Sequence, residues 1–247
     1  VAWWGVPQAQ PVLASPTAAS LAERAGIRGG EWVSAAATGD QAPQAVRSFD
    51  ELRWRLTQAA LEGLDLRLWL GDGPQSPGRE VTLPLSTLEV RDVDARLFER
   101  IGIVAPWSAP QLGEVTPDGA AAAAGLRPGD RVLAVDGEAM VDAQQLRARI
   151  RTAVDERGQA RPQRWRIERD GAVQEVVVTP RPQQQGDAWV GRVGAMVGAA
   201  PAMTVVEHGV IDALGEGLRR TWDVSILSLQ MLGKMLIGEA SLRNLSG

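Results

Sequence analysis

The sequence predicts an α+β chain made of two small, similar units, and three observations carry that prediction. A pattern recurs: Ala25-Gly26-Ile27-Arg28-Gly29-Gly30-Glu31-Trp32-Val33 returns as Ala124-Gly125-Leu126-Arg127-Pro128-Gly129-Asp130-Arg131-Val132. The separation of about one hundred positions is too long for a solenoid and suits two domains in tandem. Within each copy, strand-like and helix-like patterns alternate in the same order. The chain has 247 residues and is 45% hydrophobic, enough for two modest cores.

In the first copy a β-rich run, Pro11 to Ala14, leads into the turn Ser15-Pro16-Thr17. A short Ala-rich helix then stops at Gly26, where glycine fills a left-handed C′ position cheaply. Gly29-Gly30 turns the chain into a strand, and Ser34 to Ala45 carries extra residues with no clean turn. Phe49, Leu52, Leu56 and Ala60 mark an amphipathic helix. Strands over residues 64–70 and 80–85 follow, joined through Asp72-Gly73.

The second copy is sharper. Gln111 to Val115 is strand-like, Thr116-Pro117-Asp118-Gly119 is a turn, and a second Ala-rich helix ends at Gly125. Arg131 to Val135 forms a strand closed by Asp136-Gly137, a strong hairpin signal. Val141, Leu146, Ile150 and Val154 mark the helix, and strands over 163–169 and 174–179 meet at Asp170-Gly171. Each unit is predicted to be a small antiparallel sandwich or barrel with two helices.

The tail differs. Leu214, Leu218, Trp222, Ile226 and Leu229 fall on one helical face, and from Val224 to Ile237 only Ser225, Ser228, Gln230 and Lys234 are polar. The run is shorter than the roughly 20 residues a bilayer span needs. It predicts an amphipathic C-terminal helix lying in an interface or re-entrant, with Lys234 able to snorkel. At the other end, Val1 to Gly5 has neither the charge nor the apolar run of a secretory signal, which predicts either a fragment or a chain whose beginning has been removed. Trp3 and Trp4 fit either an aromatic belt beside a membrane helix or packing on the first unit.

Charge and composition exclude several functions. The net charge of −4 leaves no basic field for nucleic acid or anionic lipid. Cysteine is absent, which removes disulfides, thiolate zinc sites and a cysteine nucleophile. The one histidine, His208, has no Glu-x-x-His partner, so no metal site and no catalytic residue is expected in this segment.

The turn, Ala-rich helix, Ala-Gly-[Leu/Ile]-x-x-Gly-[Asp/Glu]-x-Val and Asp-Gly pattern resembles bacterial PDZ domains, closely over Pro117 to Gly137 and more weakly over Ser15 to Val33. The tail, with Thr221-Trp222, Met231 to Leu236 and Ser241-Leu242-Arg243-Asn244-Leu245-Ser246-Gly247, resembles the stretch after the paired PDZ domains of RseP-type site-2 intramembrane metalloproteases. The resemblance implies a first PDZ-like domain over 1–90, a second over 101–198, and a membrane-proximal linker and amphipathic helix over 199–247.

It also implies a place on the periplasmic face of the bacterial inner membrane. There the pair would filter or recognise pre-cleaved single-span membrane substrates, anti-sigma factor or signal-peptide remnants, ahead of a zinc-dependent membrane domain. The H-E-x-x-H and Leu-Asp-Gly zinc motifs of the family do not occur here, so the parent protease, not this segment, would hold the Zn. Expected partners are a peptide or membrane-protein substrate, the chain's own transmembrane domain and the membrane surface through the C-terminal helix. A free periplasmic PDZ adaptor, or the PDZ region of a serine protease, is the alternative.

A PDZ groove works through backbone groups: a peptide adds to a sheet edge and adjacent N–H groups take its carboxylate. Ile101-Gly102-Ile103-Val104 is the candidate carboxylate loop, with Leu146 and Ile150 on the groove helix. Gly5-Val6 with Leu52 and Leu56 is the fainter counterpart. Asn244 is implied to position substrate beside the zinc site.

Overall fold

A computed structural model describes residues 6–76, 78–88 and 95–206. Within it Pro7–Thr204 form one compact unit containing two hydrophobic clusters. The architecture is α+β with small antiparallel sheets. The first half runs β1 (Val6–Ala9), α1 (Leu21–Arg24), β2 (Trp32–Thr38), β3 (Gln44–Ala45), α2 (Phe49–Glu62), β4 (Leu66–Gly71), β5 (Arg79–Leu83) and α3 (Ala95–Ile101). The second runs β6 (Leu112–Val115), α4 (Ala120–Ala123), β7 (Arg131–Val135), β8 (Glu138–Ala139), α5 (Ala143–Arg151), β9 (Gln163–Arg169), β10 (Ala172–Val178), β11 (Arg181–Gln185), β12 (Ala188–Arg192) and β13 (Ala195–Val197), before β14 (Met203–Val206).

Each half has a four-stranded sheet, in the orders β3-β2-β4-β5 and β10-β9-β7-β8. On β4 the alternation of Leu66, Leu68 and Leu70 turns every second side chain into the core. They share a cluster with Leu52, Leu56, Ala59 and Ala60 of α2. That helix starts where Ser48 Oγ accepts from Glu51 N–H and stops at left-handed Gly63. In the second half Trp165 and Ile167 of β9 share a core with Leu146 and Ile150 of α5.

The two Asp-Gly turns of the second half are two-residue hairpins. Asp136 and Gly137 have φ of 51° and 84°, and Asp170 and Gly171 have 50° and 78°. Positive φ at both central residues gives the twist that joins β7 to β8 and β9 to β10. Asp72-Gly73 instead sits in a longer loop between β4 and β5.

The sequence repeat is also a repeat of hydrogen bonds. Ile27 N–H donates to Ala22 C=O at 3.0 Å and Leu126 N–H to Ala121 C=O at 3.0 Å. Gly30 N–H to Leu13 C=O and Gly129 N–H to Leu112 C=O are both 2.7 Å. Even the acidic residue of the motif is used alike. Glu31 pairs with Arg79 at 2.7 Å and Asp130 with Arg169 at 2.6 Å, and each arginine also donates to the carbonyl of the glycine after the Ala-rich helix, Gly26 or Gly125.

Asp130 is only 1% exposed. Burial pushes its carboxyl up, but hydrogen bonds from Arg169 and from Arg127 N–H, with the charges of both arginines, outweigh burial and hold it below the ordinary aspartate value. A depressed folded-state pKa stabilises the fold above the unfolded value and is lost as pH falls through the folded one. Asp130→Asn is therefore expected to cost about 2 kcal/mol at neutral pH, because it leaves Arg169 without its counter-charge. In urea titrations the gap to the unsubstituted protein narrows below about pH 4. An equal gap at neutral and acid pH would contradict the assignment.

The division of the cores differs from the expected boundaries over 1–90 and 101–198. Helix α3, which the sequence reading left between domains, places Leu97 in the first cluster, and Ile101 and Ile103 follow it there. Gly102 explains why: with φ of +97°, a Cβ on it would lie 2.1 Å from Ser20 Oγ and 2.9 Å from Ala22 Cβ, so the segment lies directly on α1. The second cluster begins at Leu112 and ends at Val197. The predicted amphipathic helix, His208 and Asn244 lie outside the described residues.

Candidate functional site

The candidate site is a cleft of about 1070 Å³ in the second half, roofed on one side by the first. One wall is α5. Asp142 caps it, its Oδ1 accepting from Gln145 N–H at 2.8 Å, and Gln145 Oε1 accepts in return from Val141 N–H at 2.8 Å. Ala143, Leu146 and Ile150 turn into the core, and Gln144, Arg147, Ala148 and Arg151 line the cleft.

The opposite wall is the end of β12, the Val193-Gly194 turn and the strand β13. Gly191 is required where the chain crosses the end of α5, since a Cβ there would lie 2.1 Å from the Ile150 carbonyl oxygen. Val193 C=O accepts from Ala121 N–H at 2.7 Å and Gly194 C=O from Thr116 N–H at 2.8 Å. These bonds fix the turn against the start of α4.

β13 pairs with β6 on one side, with Ala195 opposite Val115 and Val197 opposite Leu112. Gly194 C=O and Gly198 N–H both bond toward β6. Backbone groups alternate sides along a strand, so those of Ala195 and Val197 point the other way, into the cleft. The result is an edge of strand facing a helix, headed by a glycine turn. Such an edge can accept an extended peptide by strand addition.

The first half closes the cleft. Ser15 N–H donates to Asp142 Oδ2 at 2.5 Å, and Trp107 Nε1 donates to Val141 C=O at 3.3 Å. Pro16, Thr17 and Ala18 line the rim together with Glu23 and Glu99, facing Arg147, Arg151 and Arg192.

Leu146 and Ile150 are both buried, Leu146 wholly in the core and Ile150 also lining the cleft. Ile101, Gly102 and Ile103 do not join them. Ile101 and Ile103 belong to the cluster that holds Leu52 and Leu56 of α2, so the predicted loop and the predicted helix lie in different halves. The segment that meets α5 is Val193-Gly194-Ala195, which sequence reasoning missed. Its signal was present: Gly194 seats against Gly119 as Gly102 seats against Ser20, each in an apolar-Gly-apolar triplet at the end of its half.

Among the described residues no three His, Cys, Asp or Glu side chains come together to hold a metal ion, and no helix is long and apolar enough to cross a membrane. The described residues do not fit a zinc site.

Comparison with known proteins narrows the family. The PDZ domain family matches residues 112–157, from β6 to just beyond α5. A protein of Ralstonia nicotianae named as a zinc metalloprotease is 30% identical over 100% of this chain and 53% of its own length. The Escherichia coli regulator of sigma-E protease RseP is 28% identical over 98% of the chain and 53% of its own length. The zinc metalloprotease RasP of Geobacillus kaustophilus is 32% identical over 58% of the chain and 31% of its own length. The chain thus spans about half the length of the first two relatives. With a PDZ match lying inside alignments that run along nearly the whole sequence, this chain matches a PDZ-bearing region of the RseP-type site-2 proteases.

Proposed function

We propose that the chain is a tandem PDZ region on the periplasmic side of the inner membrane, serving a zinc-dependent intramembrane protease. Its second half takes the carboxyl end of a pre-cleaved single-span membrane protein as an added strand on β13. The observation that supports this most is the cleft-facing edge of Ala195 and Val197 beside α5, headed by the Val193-Gly194 turn. In that arrangement the terminal carboxylate sits at the turn and the last side chain points toward Ile150.

The repeated hydrogen bonds support a PDZ-like first half, with Ile101-Gly102-Ile103 as its own loop and α2 as its own groove helix. Because the first half roofs the cleft, the pair admits slender chain ends and rejects folded domains. An amphipathic helix beyond the described residues against the membrane surface, the chain's own transmembrane domain holding the zinc, and Asn244 positioning substrate complete the proposal.

The test is a titration of the full chain with an alanine-rich hexapeptide ending in valine, as free acid and as amide. The acid is expected to bind about tenfold or more tightly, since its charge-assisted bonds to backbone N–H are lost in the amide. Equal affinity of the two forms, or no binding of either, would overturn carboxylate capture.

A further inference from the structure

The geometry points to Arg147 as an internal stand-in for the third residue from the end of a bound peptide, a latch that limits recognition to the last two. The inference rests on β13 being the peptide edge. A peptide whose carboxylate sits at the Val193-Gly194 turn runs antiparallel to β13. Its last residue then lies opposite Ala195 and its third from the end opposite Val197. The third residue needs the Val197 carbonyl as acceptor for its N–H. That carbonyl already accepts from Arg147 Nη2 at 2.5 Å.

The guanidinium has a seat made for it. Gly198 has φ of +116°, and a Cβ there would lie 2.8 Å from Arg147 Nη2, 3.0 Å from Ser108 Oγ and 3.1 Å from Ala143 Cβ. Ser108 is itself pinned, its Oγ donating to Ala199 C=O and its carbonyl accepting from Ala143 N–H. Only glycine leaves room for the arginine to reach the strand. Arg147 is nevertheless solvent-exposed, so the latch can leave its seat without opening the core.

The first half lacks this device although it has the arginine. Arg53 follows Leu52 on α2 as Arg147 follows Leu146 on α5, but its guanidinium lies over the Phe98 ring, 4.3 Å from the centroid. The carbonyl latch is thus a property of the second groove's own surroundings and not of an arginine at that helical position.

The test uses the full chain and valine-terminated alanine peptides of two and six residues, as free acids, followed by NMR titration. In the unaltered chain lengthening the peptide is expected to raise affinity less than about twofold, because the acceptor is occupied. In Arg147→Ala the hexapeptide is expected to bind about five- to tenfold more tightly than the dipeptide, the worth of one freed backbone hydrogen bond. Gly198→Ala, which crowds the guanidinium out while keeping its charge, is expected to show the same gain with length. In the unaltered chain the Arg147 Nη protons are expected to be protected from exchange and to stay so with the dipeptide.

Equal length dependence in the unaltered chain and both variants, or unprotected Nη protons, would overturn the latch while leaving strand addition intact. If no chain prefers the free acid to the amide, the peptide edge itself fails and the latch falls with it.

Discussion

Replacing Trp165 by alanine is expected to destabilise the second half by about 4 kcal/mol, the scale for deleting a fully buried aromatic. Trp165 is 0% exposed and heads the largest wholly buried side chains. It stands on β9 opposite Val135 on one side and Val176 on the other, in a cluster with Leu112, Leu146 and Ile167. Its indole Nε1 donates to Gln163 Oε1 at 3.1 Å, so the one polar atom it carries into the core is satisfied. Alanine removes the ring and leaves a cavity between the sheet and α5 that close packing cannot refill. Calorimetry is expected to show a fall in melting temperature on the order of 10 °C. Peptide binding at the cleft should weaken with it, since α5 loses the partner that holds its inner face. A loss under about 1 kcal/mol would mean that the core does not close around this residue.

Asp142→Ala is expected to cost about 3 kcal/mol, unusual for a single helix cap. Asp142 is fully buried and each carboxylate oxygen has a task in a different part of the molecule. One oxygen caps α5 at Gln145, and the other takes the Ser15 amide from the first half. Alanine unmakes the cap, worth about 1 kcal/mol, and strands a part-buried N–H, which costs about as much again or more. Asp142→Asn keeps one of the two acceptors and sets its NH2 against the other N–H, so it is expected to lose about 2 kcal/mol. Amide exchange at Ser15 reads the second task separately. It should accelerate strongly in Asp142→Ala, and unchanged exchange there would show that the contact between halves does not depend on this carboxylate.

Much of the fold was legible because its punctuation is local. Asp136-Gly137 and Asp170-Gly171 take up positive φ cheaply between two strand-like runs, and the apolar spacing on α2 and α5 needs no knowledge of the partner surface. Helix α3 was not legible as part of the first half, since Leu97, Phe98 and Ile101 mark only a short apolar face and the chain gives no sign of which core it covers. The β11–β12 hairpin was missed for a plainer reason. Arg181 to Gln185 is exposed throughout, so no apolar alternation announces a strand.

The candidate site shows where nearness in sequence misleads. Ile101-Gly102-Ile103 precedes the second core, and reading along the chain hands it forward to α5. The fold hands it back, because each half places its glycine triplet last, after its own sheet. Gly102 is held by Ser20 and Gly194 by Gly119, contacts made across most of a domain. The triplet that lies beside α5, Val193-Gly194-Ala195, was hidden by a small third residue that lowers its apolar signal.

The ribbon of β1 and β14 has a mechanical meaning. Gln10 N–H donates to Ala202 C=O at 2.9 Å, so the polypeptide arrives at and departs from the compact unit through one doorway. Tension applied at the outer ends of β1 and β14 is expected to open that ribbon before it loads either core. For the same reason a short loop joining Ala202 back to Gln10 is expected to close the ends of Pro7–Thr204 without crossing either core.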